Sequence, residues 1–230
     1  AIKREEEEML PMRARNFFLT SVIEHDAFLR IGECSYIKVI YKNERYSDSM
    51  LVDHIRSGHR FLYLPREGYL AHMEKTILTS FEYLRDGKGP VKEKLNLQVC
   101  IAGLIHEYIR MIGVSEDLIS YVERLLRSVE VFIDAGTTFT KVFNSFPYKG
   151  DHIPEQAVLS LYLSLLICRY EKNQTDFAYK KMALGSILRD AFLTDDSLAN
   201  LKFINEKVLE SLEEEQVQML HDHIKKAAVA

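Results

Sequence analysis

Residues 152–200 read HIPEQAVLSLYLSLLICRYEKNQTDFAYKKMALGSILRDAFLTDDSLAN, and the spacing of their apolar side chains sets the class of the fold. Apolar residues recur every three or four positions from Glu155 to Tyr170 and again from Phe177 to Leu188, the period of a helix with one buried face. The polar stretch between them supplies a turn, and Thr175 or Asp176 can cap the second helix. Working outward, the same period recurs in Leu70–Leu84, Leu97–Ile112, Leu118–Ile133 and Glu213–Ala228, so the spacing predicts a run of about six helices. The breakers are GKGP at 87–90, Gly113 before Ser115 and its acidic pair, and FPYKGD at 146–151, with Ser115 a second candidate cap.

The first seventy residues follow a different rule. Pro11 separates a charged lead-in from Asn16–Ile23, and DAFLRIGECSYIKVIYKNERYS at 26–47 then alternates in the period-two manner of half-buried strands. A β-hairpin is predicted at about 26–42, with its turn at Gly32–Ser35. Ser47 or Asp48 caps a helix that ends at Gly58, and FLYLP at 61–65 reads as a short strand stopped by Pro65. The fold class is therefore α+β: a small β-hairpin/helix module at 1–72, connecting helices at 73–150, and a helical region at 151–230.

Composition narrows the function. The 230 residues are 47% hydrophobic, which suits a folded domain, and 30 Lys plus Arg against 34 Asp plus Glu leave a net charge of −4 with both signs interspersed. No basic stripe points to a nucleic-acid polymer. The longest nearly continuous apolar run, Ala157–Cys168, has 12 residues, where a bilayer span needs roughly 18 or more. The opening AIKREEEEML lacks a secretory signal, and Cys34, Cys100 and Cys168 form no disulfide framework, so a reducing cytoplasm is the expected compartment. Phosphate loops, dinucleotide fingerprints, nucleophile elbows and HExxH are absent. Cys100 and His106 share one helix, but six residues put them on opposite faces, which makes Cys100 a buried structural thiol.

Singly, the remaining polar candidates have ordinary structural roles. His152 opens an apolar helix as a cap would, Asp190 ends one as a turn residue would, and His221-Asp222-His223 lies near the end of an acidic helix whose dipole favours a charged His. Their order and spacing say more. A His at the head of a long helix, a two-residue site 37 positions later and another His 33 positions beyond that resemble the HD-domain superfamily, and more narrowly the HD-GYP family of cyclic di-GMP phosphodiesterases. The text that resembles it is the stretch quoted above, followed by LEEEQVQMLHDHIKKAA at 212–228. A second resemblance lies in DAFLRIGECSYIKVIYKNERYSDSMLVDHIRSGHRFLYLPREGY at 26–69, which is similar to the small β-rich module in front of some HD-GYP domains.

The resemblance implies that His152 matches the first ligand His, that Arg189 and Asp190 occupy the His-Asp doublet, and that His223 matches the His after the acidic helix. In the family such residues hold divalent metals that activate a water. Arg189 is permanently protonated and has no lone pair to donate. At an effective dielectric of about 20, a guanidinium some 4 Å from a divalent cation is disfavoured by on the order of 8 kcal/mol. Tyr148 stands where many members have Glu, and only seven residues follow His223, so the later metal-binding pair and the G-Y-P loop are missing from the sequence. The implied function is a catalytically silent signalling protein that needs no cofactor and binds a partner protein or cyclic di-GMP, its β-rich module an interaction or dimerisation element that makes a homodimer. Two alternatives stand beside it. One is an active phosphodiesterase with Fe, Mn or Zn held by His152, Asp190, His221 and His223; the other is a helical interaction domain unrelated to HD hydrolases.

Overall fold

The computed structural model describes residues 2–3, 8–33, 35–85, 89–146, 152–171, 175–193, 212–219 and 222. The chain divides into two compact units, Ala1–Glu82 and Tyr83–Ala230.

The first unit is built on an antiparallel sheet of five strands. These are β1 (Ile2–Lys3), β2 (Met9–Arg13), β3 (Ala27–Gly32), β4 (Ser35–Ile40) and β5 (Phe61–Pro65), in the order β1-β4-β3-β5-β2. The expected hairpin is β3–β4, with Leu29 opposite Ile37. Alternation works well in β5, where Leu62 and Leu64 are fully buried and Phe61 is exposed. In β3 it gives way to a run of three buried residues, Ala27–Leu29, so this strand is covered on both faces at its start.

Met9–Arg13, read from the sequence as part of a lead-in, forms a strand paired along β5, with Pro11 opposite Tyr63. Proline cannot donate to a ladder, and β2 is an edge strand where no further neighbour needs that donor. A 3-10 turn, Ala14–Leu19, follows β2, and helix α1 (Asp48–Arg56) starts at Ser47, whose hydroxyl accepts from the Met50 amide. Helix α2 (Arg66–Arg85) follows β5 and puts Met73 and Ile77 into the core with Met12, Phe17, Leu51 and Leu62.

The second unit is helical: α3 (Val91–Ile112), α4 (Glu116–Asp134), α5 (Phe139–Ser145), α6 (His152–Tyr170) and α7 (Asp176–Leu188). The helix expected over 213–228 is described at 214–219. The punctuation predicted at Gly113, Ser115 and Thr175 is present, whereas residues 87–88 and 147–151 of the other two breakers lie outside the described residues. Gly113 closes α3 at φ 90, a conformation that favours glycine, and donates its N–H to Ile109 O at 2.9 Å. Ser115 and Thr175 cap α4 and α7, accepting from the amides of Leu118 and Ala178 at 3.2 Å each. Replacing either by Ala is expected to cost about 1 kcal/mol in a urea titration.

Helix α5 is not legible in the sequence because its seven residues span only about two helical turns, too few for the apolar period to stand out. Cys168 is buried, whereas Cys100 is only half-buried. The core of this unit contains a polar chain. The Tyr162 hydroxyl donates to Gln98 Oε1 at 2.8 Å, Gln98 Nε2 donates to Ser128 Oγ at 3.0 Å, and Ser128 Oγ donates to Leu125 O at 2.7 Å. Tyr162 and Gln98 are fully buried, so these bonds satisfy groups that water cannot reach.

Candidate functional site

Helices α6 and α7 form an antiparallel hairpin whose register is marked by the Ser164 and Ser186 hydroxyls, 3.3 Å apart. His152 opens α6 and Arg189 and Asp190 follow α7, so the expected positions lie toward the same end of the hairpin. At about 1.5 Å of rise per residue, His152 lies roughly 12 Å further along the hairpin than Asp190. Pro154, in the first turn of α6, faces Gly103 on α3, where an added Cβ would meet the ring at an ordinary 3.8 Å. Glu155 is buried in the same turn, where the helix dipole favours a carboxylate.

The end of α7 is held from α3 by two side chains that sequence reading did not select. His106 Nε2 lies 2.7 Å from the Ile187 carbonyl oxygen, and Arg110 Nη1 donates to the Ala191 carbonyl at 2.8 Å. A carbonyl only accepts, so His106 carries its proton on Nε2. Residues 106 and 110 are one turn apart on one face of α3, which lets both reach carbonyls that a helix terminus leaves without intrahelical partners. His106 is fully buried, and burial lowers its pKa to about 4; the Ile187 carbonyl opposes that shift, Arg110 adds to it and Asp190 opposes it. At neutral pH the ring is a neutral donor.

On this anchored turn, Arg189 and Asp190 bind each other. Nε and Nη2 of the guanidinium lie 2.7 and 2.5 Å from the same carboxylate oxygen, Oδ2. The Asp190 side chain is only 13% exposed and that of Arg189 is 51% exposed, so the guanidinium forms a partly solvated cover over the carboxylate. The contact adds at most about 1 kcal/mol to stability, because half of it faces water.

The two donors described at the end of α7 are engaged with other partners. Asp190 Oδ2 takes two N–H groups from a cation, and the nearby imidazole gives Nε2–H to a carbonyl. Among the described residues no three of His, Cys, Asp and Glu come together as a metal site. The side chain of His152, and Tyr148, His221 and His223 entirely, lie outside the described residues. No helix among the described residues is long and apolar enough to cross a membrane.

His106 and Arg110 had a signal of their own. In the stretch LIHEYIR the apolar positions Leu104, Ile105, Tyr108 and Ile109 face the core, and His106 falls among them. A His on an apolar face needs a buried partner, and the sequence does not reveal that the partner is a carbonyl 81 residues away.

No family model matches the sequence, and no curated protein matches it. Among solved structures the chain is similar to Bd1817, a HDG"Y"P protein from Bdellovibrio bacteriovorus, with a TM-score of 0.52 at 16% identity. The superposition covers 94% of this chain and 69% of that one. The likeness spans both units and shows that this chain shares the α+β fold of an HD-GYP protein.

Proposed function

We propose that the chain is a catalytically silent, HD-GYP-like signalling protein that acts by binding a partner protein or a cyclic dinucleotide. The observation that supports this reading is the Arg189–Asp190 contact on the turn anchored by His106 and Arg110. The carboxylate at the position where the resemblance places a metal ligand is held by a fixed positive charge, and the fold is that of a protein named for its HD-GYP character. A guanidinium that remains half exposed is also a planar donor fork suited to phosphate. On this reading an anionic ligand competes with Asp190 for Arg189, and binding is coupled to opening of that pair.

The purified chain is expected to hydrolyse no cyclic di-GMP above the protein-free rate in the presence of Mn or Fe. Metal-dependent turnover overturns the silent reading. Calorimetric titration of cyclic di-GMP with and without divalent metal then separates the two modes of binding. Affinity that is independent of metal and falls about tenfold or more in Arg189→Ala supports a dinucleotide ligand; no heat in either titration leaves a protein partner as the ligand class.

A further inference from the structure

His72, on α2 in the first unit, is 4% exposed, and neither of its ring nitrogens has a hydrogen-bond partner among the described residues. An imidazole always presents at least one donor, and a neutral ring presents an acceptor as well. Leaving both unmet in an interior is uncommon enough to require a cause. One ring face is stacked on Phe17 of the 3-10 turn, with centroids 4.5 Å apart and planes inclined by 28°. His72 also lines a small, partly open cavity of about 10 Å³, together with Ile23, Glu24, His25, Leu64, Gly68 and Lys75, among others. That volume is about what one water molecule requires.

The walls are built closely. A Cβ on Gly68 would come within 2.7 Å of the His25 side chain, so only glycine allows His25 to close the pocket at this point. The Lys75 ammonium meets the Glu24 carboxylate at 3.2 Å across its rim.

We propose that this pocket binds one internal water to a neutral His72, and that protonation of the ring opens it, making the first unit acid-sensitive there. The water supplies a partner for one ring nitrogen, since the two nitrogens point to opposite sides of the ring and a single molecule reaches only one. The charged groups around the pocket decide what a proton does. From α2 comes Lys75, a like charge; from the segment before β3 come Glu24 and His25; β5 contributes the apolar Leu64 and the 3-10 turn contributes the Phe17 ring. Glu24 is 64% exposed and already paired with Lys75, so it is a weak counter-charge. An imidazolium at this position is desolvated without a partner, and the favourable response is to move the ring into water, releasing Phe17 and the cavity wall.

Hydrogen exchange of the intact chain, corrected for the intrinsic pH dependence, tests this in peptides covering 14–25 and 66–77. Burial, with Lys75 adding to it, lowers the His72 pKa to about 4, so protection in both is expected to fall roughly twentyfold between pH 7 and pH 5. In His72→Phe, which keeps the stack on Phe17, the fall disappears; His72→Gln gives the same loss of pH response should the Phe variant fail to fold. An equal fall in the parent chain and a folded variant, or no fall in the parent, overturns the acid sensitivity. A crystal structure at pH 7 is expected to show one ordered water within hydrogen-bond distance of the His72 ring, and a dry cavity overturns its role.

Discussion

Lowering the pH from 7 to 4 is expected to remove about 3 kcal/mol of stability from the helical unit through His106 alone. An unfolded His titrates near 6.5, whereas burial lowers the pKa of folded His106 to about 4. Between these values the unfolded chain binds a proton that the folded one refuses, so acid favours unfolding. Stability from this source is complete above about pH 6.5 and is lost as the pH falls through the window to 4.

Urea titrations at several pH values, followed by a probe within the helical unit, measure the slope. His106→Gln separates charge from structure, because an amide can still donate to the Ile187 carbonyl and does not titrate. The variant is expected to be less stable at pH 7 but to lose the 106-dependent part of the slope. An unchanged slope in the variant refutes the assignment. The same variant tests the candidate site, since His106 and Arg110 hold the turn that presents Arg189 and Asp190.

Tyr162→Ala is expected to cost about 3–5 kcal/mol, the range for a large aromatic removed from a packed core. Tyr162 is completely buried in α6, and burial raises its pKa well above the ordinary tyrosine value, opposed by the bond to Gln98. The smaller changes dissect the polar chain. Tyr162→Phe leaves Gln98 Oε1 without its donor, and Gln98→Met leaves the Tyr162 hydroxyl without its acceptor. Each is expected to cost about 1–3 kcal/mol, the penalty for stranding a buried polar group. The double variant is expected to cost clearly less than the sum of the two, because the stranded partner has been removed as well. Strict additivity in denaturant titrations means that the hydrogen bond does not couple these helices.

The pattern of legible and illegible elements has a physical basis. Helices α3, α4, α6 and α7 run over 13 to 22 residues, long enough for the apolar period to repeat several times, and their starts at Ser115 and Thr175 are set by local hydrogen bonds. The β3–β4 hairpin likewise needs only neighbouring residues. Strand β2 was hidden because its partner, β5, begins 48 residues after it ends and no local pattern announces that pairing.

The site divides along the same line. The chemical character of position 189 is a property of the residue itself: an arginine is charged at every accessible pH and cannot ligate a metal. Its carboxylate neighbour is adjacent in the chain, so an ion pair between them was already within reach of the sequence reading. The clasp of His106 and Arg110 on α7 was not, because it joins side chains of one helix to backbone carbonyls 81 residues away.

By itself the sequence determined the α+β class, the main helices and hairpin, and the presence of a fixed cation where the resemblance places a ligand. These follow from periodicity, capping chemistry and residue type, all local properties. The tertiary structure decided which polar groups became buried and what satisfied them: His106 on a distant carbonyl, Tyr162 on Gln98, and His72 beside a cavity without a described partner. Burial depends on which surfaces pack together, and the cost of an unmet hydrogen bond arises only once that packing has excluded water.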